Sequence, residues 1–197
     1  MINMDNTDNI QLAFDFLREH NEGVLATVRY PSVGSADSAT SQPSGRNATG
    51  ISLPNQGEQP RPCLRAFQVM KQEDGTLYFA TAPQKEVYRQ LQTNPAVEFM
   101  VLHGKVSVRC SGMARFDVDD ETCRWIYDHN PVLPRLYSSY DKLVYFRVPV
   151  ERLEYFDLRP TPPVVLHIDL ATKESKIGFR GERFMASSSR LPAAWAI

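Results

Sequence analysis

The sequence predicts a mainly β fold, an antiparallel β-barrel with peripheral helices. Short stretches rich in β-branched and aromatic residues outnumber the helical patterns, and several of these stretches are joined by hairpin turns. Strands and helices do not alternate regularly along the chain, which disfavours a parallel βαβ sheet. The length of 197 residues is typical of one domain. We therefore expect a single domain over residues 1–197.

The N-terminal region predicts a helix, a strand and then an insertion. Asp8 can cap the helix, and three apolar residues follow it at a spacing of about one turn: Ile10, Phe14 and Leu17. Gly23 is a candidate stop for this helix, and the β-rich run from Gly23 to Tyr30 predicts the first strand. Residues 31–60 lack any periodic apolar pattern and are rich in Ser, Gly, Asn, Gln and Pro. We expect them to form a flexible insertion outside the core.

The rest of the chain alternates hairpins with two further helices. Pro62–Met70 and Leu77–Thr81 are predicted strands, and Asp74-Gly75 between them is a turn signal. Strict alternation of apolar and polar residues over 106–116 predicts a long strand with one buried face. The other predicted elements are helices over 84–93 and 119–129, strands over 96–102 and 143–153, and a hairpin from 164–170 and 176–179 within a C-terminal extension, residues 161–197.

Composition excludes several classes of function. The 22 Lys and Arg residues nearly balance the 23 Asp and Glu residues, so we expect no binding to nucleic acid or to an anionic membrane surface. The sequence has no secretory signal and no long apolar run, which predicts a cytoplasmic protein. Three widely spaced cysteines and four histidines show no metal-ligand spacing, so we expect no metal. Asp119-Asp120-Glu121 is interpreted as a helix start, and His103 and His129 as loop residues.

The segment from Tyr78 to Lys85 is a candidate phosphate site. It predicts a strand that passes through a polar turn into a helix, with Pro83 at the first helical position. The first N–H groups of a helix attract anions, and the Thr81 hydroxyl and the Lys85 ammonium would converge there. The alternative is that Thr81 only caps the helix and that Lys85 is an ordinary surface residue.

Arg65 strengthens the case for this site. Alternation places it on the same strand face as Cys63, Phe67 and Val69, where a charge needs a partner. The sequence offers an acidic residue such as Glu98 as that partner. A ligand phosphate is the other candidate.

These residues resemble the FMN-binding core of the pyridoxamine 5'-phosphate oxidase-like family. The similar segments, in order, are Arg65-Ala66-Phe67, the hairpin through Asp74-Gly75, Leu77–Thr81 with Lys85, Leu91–Glu98, Val108–Gly112 and Asn130–Leu133. The resemblance implies a split β-barrel and a homodimer with FMN at the subunit interface. It assigns the phosphate to Arg65, Thr81 and Lys85. It also implies that Phe67 and Gln68 line the flavin, that Ala80 offers backbone, and that Ser107 faces the isoalloxazine ring.

The sequence departs from the family pattern in two places. The insertion at 31–60 is not typical, and the oxidase proper carries a C-terminal Arg-x-His arrangement that is missing between Pro160 and Ile197. His167 and Arg180 are wrongly spaced for it. We therefore expect an FMN-dependent oxidoreductase that acts on an unidentified small molecule, not on pyridoxamine phosphate, with no catalytic side chain assigned. The alternatives are a non-redox protein that holds haem or another flat ligand, and an interaction domain that holds no ligand.

Overall fold

The computed structural model describes residues 6–30 and 59–178. The predicted insertion at 31–60, except for its last two residues, and the end of the C-terminal extension lie outside these ranges. The described elements, in chain order, are α1 (Asn6–Glu19), β1 (Glu22–Arg29), β2 (Arg61–Gln68), β3 (Lys71–Glu73), β4 (Thr76–Thr81), α2 (Glu86–Thr93), β5 (Ala96–His103), β6 (Val106–Met113), α3 (Asp120–His129), α4 (Leu133–Leu136), β7 (Val144–Asp157), β8 (Val164–Asp169) and β9 (Glu174–Ile177). The predicted mainly β, antiparallel fold is confirmed.

All nine described strands form one antiparallel sheet that curls into a half-barrel, as expected of a split barrel. The long strand β7 joins its two parts. Residues 144–149 of β7 pair with β4, whereas residues 150–157 pair with β6. The hairpin of β8 and β9 extends the sheet from β7, which confirms the hairpin predicted in the C-terminal extension.

The core lies on the concave side of this sheet. Phe79 is its centre, with ring centroids 5.2 Å from those of both Phe99 and Phe146. These three rings are fully buried, and burying large aromatic side chains is a dominant source of folding free energy. Helix α1 closes one side of the core with Ala13, Phe14 and Leu17, the last two of which belong to the predicted apolar stripe.

The boundaries of several elements differ from those that the sequence predicts; the strand predicted over 106–116, for example, ends at Met113. Helix α1 ends at Glu19, and Gly23 lies inside β1, where a Cβ atom would collide with the Met100 carbonyl oxygen. Helix α2 begins at Glu86, so Pro83 precedes it and is not its first residue. The strand predicted over 143–153 continues to Asp157 because β8, which the sequence treats separately, supplies its second partner.

The convex side of the sheet carries exposed apolar side chains on neighbouring strands. Val24 of β1 lies opposite Met100 of β5, and Leu102 of β5 lies opposite Ser107 of β6. Leu64 of β2 and Leu102 are about two-thirds exposed, at 70% and 66%. We call the surface formed by Val24, Leu64, Met100 and Leu102 the outer apolar face.

None of the helices in residues 6–30 and 59–178 is long and apolar enough to span a membrane.

Candidate functional site

A pocket of about 380 Å³ lies between β2, the end of β4 and the start of α2. Five of the seven predicted cofactor-binding residues line it: Arg65, Phe67, Gln68, Ala80 and Lys85. Phe67 is held in place by edge contacts with Phe79 and Phe146, both at 6.0 Å between ring centroids. The hydrophobic core therefore fixes the strand that carries Arg65 and Gln68.

Arg65 enters the pocket wall as a half-buried cation held by neutral groups. Its Nη1 donates to Thr27 Oγ1 at 2.8 Å, and its Nη2 donates to Gln90 Oε1 at 2.9 Å. Thr27 and Gln90 are both buried and are joined by a 2.6 Å hydrogen bond. Among the described residues Arg65 forms no ion pair. Its guanidinium is oriented by polar contacts while its charge stays uncompensated.

The partner proposed for Arg65 from the sequence is therefore wrong. Glu98 lies on the convex side of β5, where its carboxylate is 3.5 Å from Arg109 and accepts from Ser111 at 3.4 Å. The β register explains the difference. Leu25 pairs with both Arg65 and Phe99, which puts Arg65 on the concave side, while Glu98 is one residue out of phase.

Gln90 connects helix α2 to this network. Its Nε2 donates to Glu86 Oε1 at 2.9 Å, and Glu86 in turn lies 3.6 Å from Arg29. The nearby carboxylate is thus engaged by another arginine. The sequence did not single out Thr27 or Gln90, although both carry a signal. Thr27 follows Leu25 by two residues on the buried face of β1, and Gln90 lies beside Leu91 on the buried side of α2.

Two more polar residues, Thr81 and Lys85, flank the turn from β4 into α2; Lys85 lines the pocket, whereas Thr81 does not. Thr81 is only 3% exposed, and its Oγ1 has no hydrogen-bond partner in the described part of the chain. A buried unpaired hydroxyl costs about 1–3 kcal/mol, which a hydrogen bond to a ligand would offset. Lys85 is the exposed N-cap residue of α2, and its ammonium makes no ion pair with any described residue. Together with Arg65 these groups fit an anionic ligand.

The other end of the pocket is defined by Gln68 and Met70. Buried Asn130 donates from Nδ2 to Gln68 Oε1 at 3.2 Å and to Met70 Sδ at 2.9 Å. Asn130 Oδ1 accepts from the backbone N–H groups of Val132 and Leu133 at 2.9 and 3.2 Å. The turn between α3 and α4 therefore reaches into the pocket wall.

Comparison with known proteins identifies the fold. No family model matches the sequence, and no curated protein matches it. Solved structures do match. A protein of Clostridium acetobutylicum related to general stress protein 26, of the pyridoxinephosphate oxidase family, has 10% identity and a TM-score of 0.57 over 87% of this chain and 100% of that one. A pyridoxamine 5'-phosphate oxidase-related, FMN-binding protein of Nostoc punctiforme has 13% identity and a TM-score of 0.56 over 87% and 94%.

This chain has the pyridoxamine 5'-phosphate oxidase-like fold. A haem-binding protein of Mycobacterium smegmatis shares it at 15% identity and a TM-score of 0.50, over 79% of this chain and 55% of that one.

Within this oxidase-like fold, Ser107 lies apart from the other predicted site residues. It is on β6, opposite Leu102 of β5 and Phe156 of β7, and it does not line the pocket. Its side chain is on the convex side of the sheet, next to the outer apolar face. One chain therefore brings together Arg65, Phe67, Gln68, Ala80 and Lys85, with Thr81 adjacent, but not Ser107.

The other candidate residues lie in regular structure: His103 and His129, interpreted from the sequence as loop residues, are instead the last residues of β5 and α3. No cluster of three or more His, Cys, Asp or Glu suited to a metal ion occurs in the described ranges. Cys110 is buried, which raises the pKa of its thiol. Asp119 accepts from the backbone N–H of Thr122 at 2.7 Å, and this contact lowers the pKa of its carboxyl. Asp119 is thus the N-cap of α3, as the interpretation of a helix start requires.

Proposed function

We propose that this protein binds FMN in the pocket beside Arg65 and uses it as an oxidoreductase on a small molecule. The observation that carries the proposal is the half-buried Arg65 guanidinium, which is oriented by Thr27 and Gln90 and has no carboxylate partner among the described residues. A half-buried charge is only partly solvated, so an anionic ligand would stabilise it. A phosphate monoester supplies that compensation through charge-assisted hydrogen bonds.

The remaining groups of the pocket support the same ligand. The unpaired Thr81 hydroxyl and the Lys85 ammonium supply further donors for phosphate oxygens. Phe67 and Gln68 extend along β2 away from them and offer an apolar and a polar contact to a flat ring system. When bound, FMN supplies the electron-transfer chemistry, while the chain binds it, orients it and excludes water.

The proposal includes a homodimer, supported by the outer apolar face. Exposed apolar residues on adjacent strands are typical of a surface that another protein covers. Because Ser107 borders this face, a second copy packed on it would place Ser107 at the subunit interface, where the resemblance puts the cofactor. This arrangement accounts for the separation of Ser107 from the other predicted residues.

We also propose a cytoplasmic location.

The direct test is to purify the protein without added cofactor and to record its absorption spectrum. We expect flavin bands and the release of FMN on heat denaturation. Anaerobic mixing with NADH, NADPH or pyridoxamine phosphate then tests the reaction. We expect bleaching by a nicotinamide or by an added flavin reductase. Bleaching by pyridoxamine phosphate, with pyridoxal phosphate formed, would contradict the proposed choice of substrate.

A second candidate function is the binding of haem or another flat ligand without redox chemistry. The fold shared with the Mycobacterium smegmatis haem-binding protein favours it. Met70 lines the pocket and carries a sulfur atom of the type that ligates haem iron. That sulfur already accepts from Asn130, which makes it less available. A Soret band in place of flavin bands in the purified protein would favour this second function.

A further inference from the structure

Two side-chain amides at the pocket wall, those of Gln68 and Asn130, have a fixed orientation. The amide oxygen and nitrogen of Asn or Gln are interchangeable in shape, so their orientation must follow from hydrogen-bond partners. The backbone N–H groups of Val132 and Leu133 can only donate, so the Asn130 atom that faces them must be oxygen. The Asn130 nitrogen therefore faces β2.

This orientation determines that of Gln68 in turn. The Asn130 nitrogen can only donate, so the Gln68 atom 3.2 Å away from it must be the acceptor Oε1. The Gln68 nitrogen is then the amide atom that does not face Asn130. Nε2 makes no hydrogen bond within residues 6–30 and 59–178, and Gln68 lines the pocket.

We propose that Asn130 is a positioning residue that makes Gln68 present an N–H donor to the bound ligand. The inference rests on the proposed FMN function and specifies the chemistry that the pocket selects. This N–H group can donate to a ring edge that carries carbonyl oxygens or imine nitrogens, as in a flavin. A ring that offers only N–H groups at that edge is rejected, because two donors would face each other.

The Asn130→Asp variant changes this donor without removing the turn. Its carboxylate still accepts from the two backbone N–H groups, but it cannot donate to Gln68, so the Gln68 amide turns over and presents oxygen to the ligand. We expect FMN affinity, measured by fluorescence titration of the full chain, to fall by roughly five- to tenfold, the equivalent of about one hydrogen bond.

The matched control is the same substitution in a Gln68→Met background, where no amide remains to be turned. There we expect Asn130→Asp to change FMN affinity less than twofold. An equal loss in both backgrounds would mean that Asn130 acts only through folding or through the added charge, and would overturn the proposal.

The Gln68→Met variant by itself keeps the test decisive if Asn130→Asp fails to fold. It should show a loss of FMN affinity similar to that expected for Asn130→Asp, and wild-type affinity would overturn the role of the donor. A wild-type protein that does not bind FMN would remove the proposed function together with this inference. FMN binding without the dependence on Gln68 would remove this inference alone.

Discussion

Replacing Arg65 by methionine should separate cofactor binding from stability. Methionine retains most of the aliphatic stem that lies along β2 but removes the charge and both hydrogen bonds. Thr27 Oγ1 and Gln90 Oε1, which accept from Arg65, keep a hydrogen bond to each other, because Thr27 Oγ1 still donates to Gln90 Oε1 at 2.6 Å. Gln90 Nε2 also still donates to Glu86. We therefore expect the free energy of unfolding of the ligand-free protein to change little or to rise.

The expected loss of FMN affinity follows from the environment of the guanidinium. Arg65 is half-buried and preoriented, so its contact with a phosphate should contribute about 1.5–3 kcal/mol, or roughly 10- to 150-fold in affinity. Lys85 is exposed, and solvent screening limits an exposed ion pair to about 0.2–1 kcal/mol. Lys85→Met should therefore weaken binding by a few-fold only.

The assay is a fluorescence titration of both variants and the wild type with FMN and with riboflavin, which lacks the phosphate. Arg65→Met should lose most of its affinity for FMN and little for riboflavin, and thermal unfolding without ligand should confirm an intact fold. Equal losses for the two ligands would refute the assignment of Arg65 to the phosphate. Wild-type affinity for FMN in this variant would refute the site itself.

Three further predictions concern Thr81, the outer apolar face and Asp157. Thr81→Val replaces a buried unpaired hydroxyl by a methyl group, so it should raise the melting temperature of the ligand-free protein and weaken FMN binding; a lower melting temperature with unchanged binding would contradict it. Leu102→Lys should shift the protein from dimer to monomer in light scattering, because it buries a charge in the proposed interface. Asp157 is paired with Arg159, which lowers the pKa of its carboxyl. Its contribution to stability is therefore present above about pH 4 and is lost as the pH falls through the lowered pKa, so the difference in melting temperature between wild type and Asp157→Asn should shrink at acid pH.

The sequence predicted the elements whose signals are local. The hairpin at Asp74-Gly75 has both turn residues in the positive φ region, and the alternation over β6 corresponds to its buried and exposed faces. The N-cap at Asp119 is likewise a short-range pattern. These elements depend on residues only a few positions apart, so a single sequence contains the information that specifies them.

The contacts of the candidate site could not be predicted in the same way. Arg65 meets Thr27 and Gln90 only because β1 pairs with β2 in one register and α2 packs beside them, and neither relation is visible along the chain. The sequence identified Arg65 as a charge that needed a partner. It suggested Glu98 because it does not reveal the register of β5 relative to β2. That register is set by β1, which lies between them.

The pairing of β1 with β2 also has a practical use. Arg29 at the end of β1 lies directly opposite Arg61 at the start of β2, and the ladder is regular from there to Gln68. The connection between the two strands thus starts and ends at neighbouring residues. A change in its length should therefore not alter the pairing of β1 with β2. A reporter peptide or an affinity tag exchanged for part of that connection should leave Arg65 in register. The candidate site can then be labelled a few residues away from Arg65 without being disturbed.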